Sequence, residues 1–406
     1  MTTKREILVS GGGISGPAVA YWLNRYGFSV TVVERAGGLR GGGYPIDVRG
    51  TALEAVRRMG IEPRLREVNV DMRRFTFLDA AGDEVAVLNP RLIDGGVEGR
   101  DLEVRRGDLA DALFAATGGE VRFVFNDSIK TMTETKDGVE VTFASGARHT
   151  YWVVIGADGL HSRTREALFG PEEQFHRYLG YVFAGFTMPN VLGLSHEAVL
   201  WSTPGRAAVL YAPGDESEEV HGFLNFARKD PPFHAFRNPE AQRDLVAETF
   251  ADAGWKVQDL VAAMRQADDL FFDTVSQIRM PRWWKGRVAL VGDAAYAPSF
   301  LTGQGTSLAL VGAYMLAGSL AAYPEPEAAF AAYERETREF VTLNQAFVDG
   351  GGSHIFPATA EEMERRDAML RDLVEGPAPA ERPAHSALTL PDFVPGAHLL
   401  GTAAGS

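Results

Sequence analysis

The sequence predicts an α/β protein in which a βαβ-type core is interrupted by a mainly antiparallel sheet and followed by C-terminal helices. Three observations predict it. An apolar run near the N-terminus passes through a glycine turn into a helix and a second strand, "EILVSGGGISGPAVAYWLNRYGFSVTVVERA". Two distant apolar runs, "YWVVIGADG" and "RVALVGDAA", also end in glycine and aspartate. Between them, residues 176–278 change to alternating, aromatic-rich segments, the pattern of antiparallel strands covered on one face.

Composition sets the bounds. At 406 residues the chain exceeds the usual size of one core, so two domains or one domain with an insertion are expected. An apolar fraction of 45% and a charged fraction of 23% fit an ordinary globular protein. A formal charge of −14 argues against nonspecific binding to nucleic acid or anionic membrane. With no cysteine there is no disulfide scaffold, thiolate metal site or Cys-x-x-Cys redox pair. No stretch approaches the roughly 20 apolar residues of a membrane span, and the few apolar residues before the first glycines are too short for a signal peptide. The expectation is a cytoplasmic enzyme.

In order along the chain, Ile7–Val9 read as a buried strand and Ala18–Tyr26 carry helical spacing. Gly27 stands where a helix-terminating glycine belongs, and "SVTVVE" is β-branched. "TALEAVRRMG" is a short helix closed by Gly60, and "RRFTFLDAAGDEVAVL" alternates like a hairpin. "RRGDLADALFAAT" is a helix, and "VRFVFN" and "GVEVTFASG" are strands joined by a turn. The insertion holds "YVFAGFTM", "EAVLWST", "RAAVLYAPG", "VHGFLNFAR" and "LFFDTVSQI", with a helical pair at "PEAQRDLVAETFADAG" and "VQDLVAAMRQA". "TSLALVGAYMLAGSLAAY" reads as a long helix, residues 327–349 and 359–375 as further helices, and the proline-rich tail from Gly376 as an irregular surface segment.

Gly11-x-Gly13-x-x-Gly16 follows a strand and opens a helix, the context in which the pattern carries meaning. The glycines allow a tight turn, close approach of a pyrophosphate and helix–strand packing, and the helix N-terminus offers unpaired N–H groups to phosphate. Glu34 ends the next strand, where an acid can accept hydrogen bonds from an adenosine ribose. The fingerprint alone does not separate NAD from FAD. "GADGLHSRTRE" could be an ordinary polar turn, and Asp293 an ordinary helix cap. Yet Asp293 lies at the carboxyl end of a strand, the edge at which α/β sheets bind ligands. Gly303-Gln304-Gly305 then opens another apolar helix.

These elements, "GGGISG…VVERA", "GADGLHSRTR" and "GRVALVGDAAYAPSFLTGQG", in this order and over about residues 5–345, resemble the single-component (class A) FAD-dependent monooxygenases, the aromatic hydroxylase family. "ERAGGLRGGGYPIDVRG" and "VRRGDLADAL" are most similar to the branch containing the tetracycline-inactivating monooxygenases. The resemblance implies a Rossmann-like FAD-binding domain from residues 1–70, 100–175 and 279–345. The substrate-binding sheet domain would come from 71–99 and 176–278, with a C-terminal helix and tail at 346–406. It implies FAD contacts for Gly11, Gly13, Ser15, Gly16, Glu34, Arg35, Asp47, Arg106, Asp158, Asp293, Gly303, Gly305 and Thr306, and places Arg40 near the path of NADPH. The chain departs from the family pattern at Tyr296, where histidine is usual, at Ser299-Phe300 in place of Pro-Pro, and at Ser307 in place of asparagine.

The chemistry so implied uses NADPH (or NADH) as transient co-substrate and O2. Reduced flavin captures oxygen as a C4a-hydroperoxide and inserts one oxygen atom into an aromatic or polyketide-like small molecule. No protein nucleophile is needed, in keeping with the lack of Ser-His-Asp or metal-ligand spacing among the nine histidines. Phe183, Trp201, Tyr211 and Phe223, with Phe186 and Phe226, are candidate walls of the substrate pocket, although aromatics on such strands are mostly core. Arg206 or His221 is a candidate partner for a phenolate or carboxylate. Baeyer–Villiger, halogenase or reductase chemistry on the same fold stays open, as does a noncatalytic flavin-binding protein. "PRWWKG" is not the Trp-x-Trp-x-Ile-Pro of a halogenase. A monomer or homodimer would serve equally.

Overall fold

The computed structural model describes residues 5–39, 43–90, 92, 100–214, 218–236, 238–348, 356–375 and 382–393. Two large sheets organise them. The first runs, in spatial order, β17 (Trp284–Lys285), β18 (Val288–Leu290), β11 (Val153–Gly156), β1 (Glu6–Ser10), β2 (Ser29–Glu34) and β7 (Arg122–Phe125). All neighbours in it are parallel except the β17–β18 pair. Ile7, Leu8, Val9, Val153, Val154 and Ile155 have no exposed surface, as expected of parallel strands covered on both faces. Helix Ser15–Arg25 follows β1 and ends at Gly27, whose φ of +91° lets the chain reverse into β2.

The second sheet is β16 (Phe271–Ile278), β12 (His176–Pro189), β15 (Glu219–Ala227), β14 (Arg206–Ala212), β13 (Glu197–Thr203), β4 (Arg74–Leu78) and β5 (Glu84–Leu88). Its pairs are antiparallel except β4–β13. Period-two alternation gives it two distinct faces. Val182, Phe186, Trp201, Leu210 and Phe226 pack under helices Pro239–Thr249 and Val257–Gln266. Phe183, Val209, Tyr211 and Phe223 point the other way, where Phe183 and Phe223 meet Leu301 and Phe356.

A two-stranded ribbon, β3 (Pro45–Val48) with β6 (Leu102–Arg105), stands beside that second face. A three-stranded sheet, β8 (Ile129–Thr135), β9 (Gly138–Phe143) and β10 (Arg148–Tyr151), flanks the parallel one. The sequence reading missed β8: in "IKTMTET" the only apolar residues, Ile129 and Met132, stand three apart and no residue is buried, so it lacks the period-two signal of a strand.

Helix Gly305–Ala322 is apolar enough by length and composition to cross a membrane, but 83% of it is buried inside the protein. It is a core helix, packed on helices Ser15–Arg25 and Pro326–Gln345. Helix Ala360–Glu375 lies on the β5 side of the large sheet, where Arg366 donates to Ser202 Oγ at 2.7 Å. The strap of residues 382–393 then returns over helices Thr51–Met59 and Gly305–Ala322. Thr51 donates to the Leu388 carbonyl (2.6 Å), Tyr314 to that of Pro391 (2.6 Å), and Arg58 pairs with Asp392 (3.0 Å).

Candidate active site

The three glycine–aspartate turns are neighbours in space because β1, β11 and β18 are consecutive in the parallel sheet and all run the same way. Their carboxyl ends deliver Gly11, Asp158 and Asp293 to one edge. Gly11 has φ of +112°, and a Cβ there would run into the carbonyl of Ala157; one on Gly16 would run into the carbonyl of Gly11. Those two glycines are required by the turn itself. Ser15 links the first turn to the third, for its hydroxyl fills the space beside Gly292, which has φ of +65°.

Helix Ser15–Arg25 has no side-chain cap, nor has helix Gly305–Ala322, so both present unpaired N–H groups and the positive end of a dipole at this edge. Arg106, the first residue of helix Arg106–Ala116, places its guanidinium 3.3 Å from the Cβ position of Gly13. Its positive charge partly offsets the burial that raises the Asp293 pKa. No described residue hydrogen-bonds the Asp293 carboxylate, and its Oδ1 lies 3.8 Å from the Cβ position of Gly305. Asp47 Oδ2 lies 2.8 Å from that of Gly303. Thr306 follows in the first turn of the long helix. Gln304, between the two glycines, is fully buried, and its side-chain amide has no hydrogen-bond partner among the described residues.

The remaining cofactor candidates divide. Glu34 accepts the N–H groups of Gly12 and Ala36, each at 2.7 Å, and keeps lone pairs for further donors. Arg35 is exposed just past β2. Asp158 accepts from Ser162 Oγ (2.5 Å) and from the N–H (3.0 Å) and hydroxyl (2.9 Å) of Thr164, anchoring the start of helix Arg163–Phe169. Arg40 lies outside the described residues.

Of the pocket candidates, the pleat sorts them. Phe183 and Phe223 stack at 6.1 Å on the inner face; Phe183 also meets Phe300 at 4.8 Å and Phe271 at 5.4 Å. Phe223 meets Tyr44 at 6.4 Å, and the Tyr44 hydroxyl feels both Arg106 and Asp293. Tyr211 is also on the inner face, donating to Glu103 Oε1 at 2.5 Å. Trp201 is a correction: it is 1% exposed among the helices of the outer face, its indole N–H bonded to the Ala80 carbonyl at 3.2 Å. Arg206 is a second correction. Its guanidinium binds the Thr249 carbonyl and Asp252 on that same outer face. Phe186 and Phe226 are core beside Trp201.

Several residues at this edge escaped the sequence reading. Arg49 pairs with Asp47 at 2.7 Å, and its own N–H is held by Ser307 Oγ at 3.1 Å, which ties the ribbon to the long helix. His161 bridges the two large sheets, contacting Glu172 (2.8 Å) and Asp273 of β16 (3.0 Å). These carboxylates raise its pKa to about 10. The signals were faint: Arg49 is merely two residues past Asp47, and the partners of His161 are far away in sequence.

Glycine turns and acids at adjacent carboxyl strand ends, two uncapped helix N-termini, an intervening cation and an orphaned buried amide form a cradle for a long, anionic dinucleotide. The chain belongs to the FAD-binding domain family, whose sequence profile matches residues 4–348, and FAD is its cofactor. It is a flavin-dependent monooxygenase by relationship. It is 36% identical over 397 residues to a flavin-dependent monooxygenase from an unidentified prokaryote, covering 97% of this chain and 100% of the relative. It is 42% identical over 363 residues to a Mycobacterium tuberculosis protein called uncharacterized, covering 89% of this chain and 97% of that one. Among solved structures it is similar to the tetracycline destructase Tet(55), with TM-score 0.81 and 34% identity over 97% of this chain and 100% of that one.

Proposed function

We propose that this protein uses NADPH (or NADH) and O2 to insert one oxygen atom into an aromatic or polyketide-like small molecule. The observation that carries the reading is the convergence of the Gly11–Gly16 turn, Arg106 and Asp293 beneath the Tyr44–Phe223–Phe183 aromatic wall. Bound FAD would supply hydride acceptance and oxygen activation, the chemistry that side chains alone do not perform.

The residues of the chain then have distinct tasks. The N–H groups at the start of helix Ser15–Arg25, with Arg106 beside Gly13, would neutralise the pyrophosphate. Glu34 would accept from the adenosine ribose, and Asp293 from the ribityl hydroxyls. The Gly303–Thr306 backbone, held against Asp47 and Arg49, would approach the ring system without side-chain obstruction. Phe183 and Phe223 would present an apolar, flat surface to the substrate and exclude water from the reacting atoms. Supporting the substrate class, the similar solved structures include tetracycline destructases.

The test is NADPH consumption by the purified, FAD-loaded protein against a panel of phenols, quinones and tetracyclines, with product mass measured. The reading expects consumption stimulated by at least one compound and a product heavier by one oxygen atom. Stimulated consumption yielding only hydrogen peroxide with every compound would contradict it.

A further inference from the structure

The β3–β6 ribbon has two faces. Ile46, Val48, Leu102 and Val104 turn into the main core. In the antiparallel register Asp47 is opposite Glu103, and Pro45 opposite Arg105, so Asp47, Glu103 and Arg105 share the other face. That face looks toward the inner face of the large sheet, because Glu103 accepts the Tyr211 hydroxyl at 2.5 Å. In the sheet, Tyr211 is directly opposite His221, and His221 is two residues from Phe223 on the same side. Tyr44, next to Pro45, packs on Phe223. Arg105 therefore comes between the Glu103–Tyr211 contact and the Tyr44–Phe223 contact, facing His221.

Its state is unusual for a cation so placed. Arg105 is exposed and has no ion pair or side-chain hydrogen bond among the described residues. The nearby acids are engaged: Glu103 with Tyr211, and Asp269 with the N–H and hydroxyl of Thr187, which pairs with His221 in the sheet. Burial and the charge of Arg105 push the His221 pKa down, which keeps the imidazole neutral and able to donate one hydrogen bond.

We propose that Arg105, with His221 beside it, anchors an anionic oxygen of the substrate, a carboxylate, phenolate or enolate, at the inner face of the large sheet. Phe223, one same-face step of about 7 Å along β15 from His221, then carries the aromatic body of the substrate toward the Asp293 edge. A guanidinium suits this task, since its planar fork meets a carboxylate with two parallel bonds and gives a single phenolate or enolate oxygen a charge-assisted one. Arg206, the cation the sequence offered for this role, is committed to Asp252 on the far face. The proposal rests on the monooxygenase reading for the inner face being the substrate's side.

The test uses the full-length, FAD-loaded chain. Binding of 3-hydroxybenzoate and 1-hydroxy-2-naphthoate, each against its methyl ester, and of tetracycline is read from the perturbation of the flavin absorbance spectrum. The wild type is expected to prefer the ionised member of at least one acid–ester pair by about tenfold or more. Arg105→Met should abolish that preference while leaving ester binding and FAD affinity unchanged, and Arg105→Lys should keep part of it. An unchanged preference in Arg105→Met, or no preference in the wild type, overturns the anchor. Weakened FAD binding in Arg105→Met would assign the guanidinium to the cofactor and overturn it as well. Failure of every compound to stimulate NADPH consumption, with the acid preference intact, would instead sink the reaction and spare the anchor.

Discussion

Asp293 carries a carboxylate that burial pushes toward its neutral form, and no described side chain hydrogen-bonds it. Such a group is retained where a ligand satisfies it. Asp293→Ala is expected to weaken FAD binding by at least about tenfold, the loss of one charge-assisted hydrogen bond; fluorescence titration of the flavin-free protein measures it, and wild-type affinity would refute the role. His161 offers a pH signature. Its folded pKa of about 10 lies above the ordinary 6.5, so its ion pairs stabilise fully below about 6.5 and fade as pH rises through 10. The melting temperature of the wild type should exceed that of His161→Asn at pH 6, and the gap should narrow toward pH 10. A gap that widens with pH would contradict the assignment. At this scale the sequence was readable where a backbone constraint demanded a residue type, as at Gly11 and Gly16. It was unreadable where only the pleat decided: Trp201 and Phe183 look alike in the sequence, yet they point to opposite faces.

Elements were legible when their period was strong. Apart from β17, the strands of both large sheets and the helical pair over the outer face follow from continuous apolar runs, alternation or helical spacing, whereas β8 did not. The long helix Gly305–Ala322 shows a constraint that no pattern in the sequence displays. At Gly312 an added Cβ would collide with the Tyr296 hydroxyl, which is itself bonded to Tyr333 at 2.9 Å. The residue that replaces the family's usual histidine is thus accommodated by a glycine on the neighbouring helix. Gly312→Ala should cost about 1–3 kcal/mol through overpacking, and Tyr296→Phe should recover much of that loss in the double variant. Chemical denaturation reads both, and a neutral Gly312→Ala would show that the helices do not meet as described.

For the molecule as a whole, the chain's last described segment is tied to helices Thr51–Met59 and Gly305–Ala322. The 382–393 strap holds Thr51, Arg58 and Tyr314, and Phe393 fills the space beside Gly318. The sequence suggested an irregular surface tail and gave no sign of these attachments, because carbonyl acceptors on a strap carry no residue signature. Removing residues 382–406 should lower the melting temperature of the FAD-loaded protein by at least about 2 °C; an unchanged value would show the strap to be ornamental. By contrast, the cradle itself was legible from three short motifs, since parallel strands deliver all their carboxyl ends to one edge. The most direct measurement of this account is an FAD titration of the purified, flavin-free chain and of its Asp293→Ala variant. The account predicts one tightly held, yellow FAD per wild-type chain and a markedly weaker complex in the variant. A wild-type protein that remains colourless after incubation with FAD and removal of the excess would contradict it.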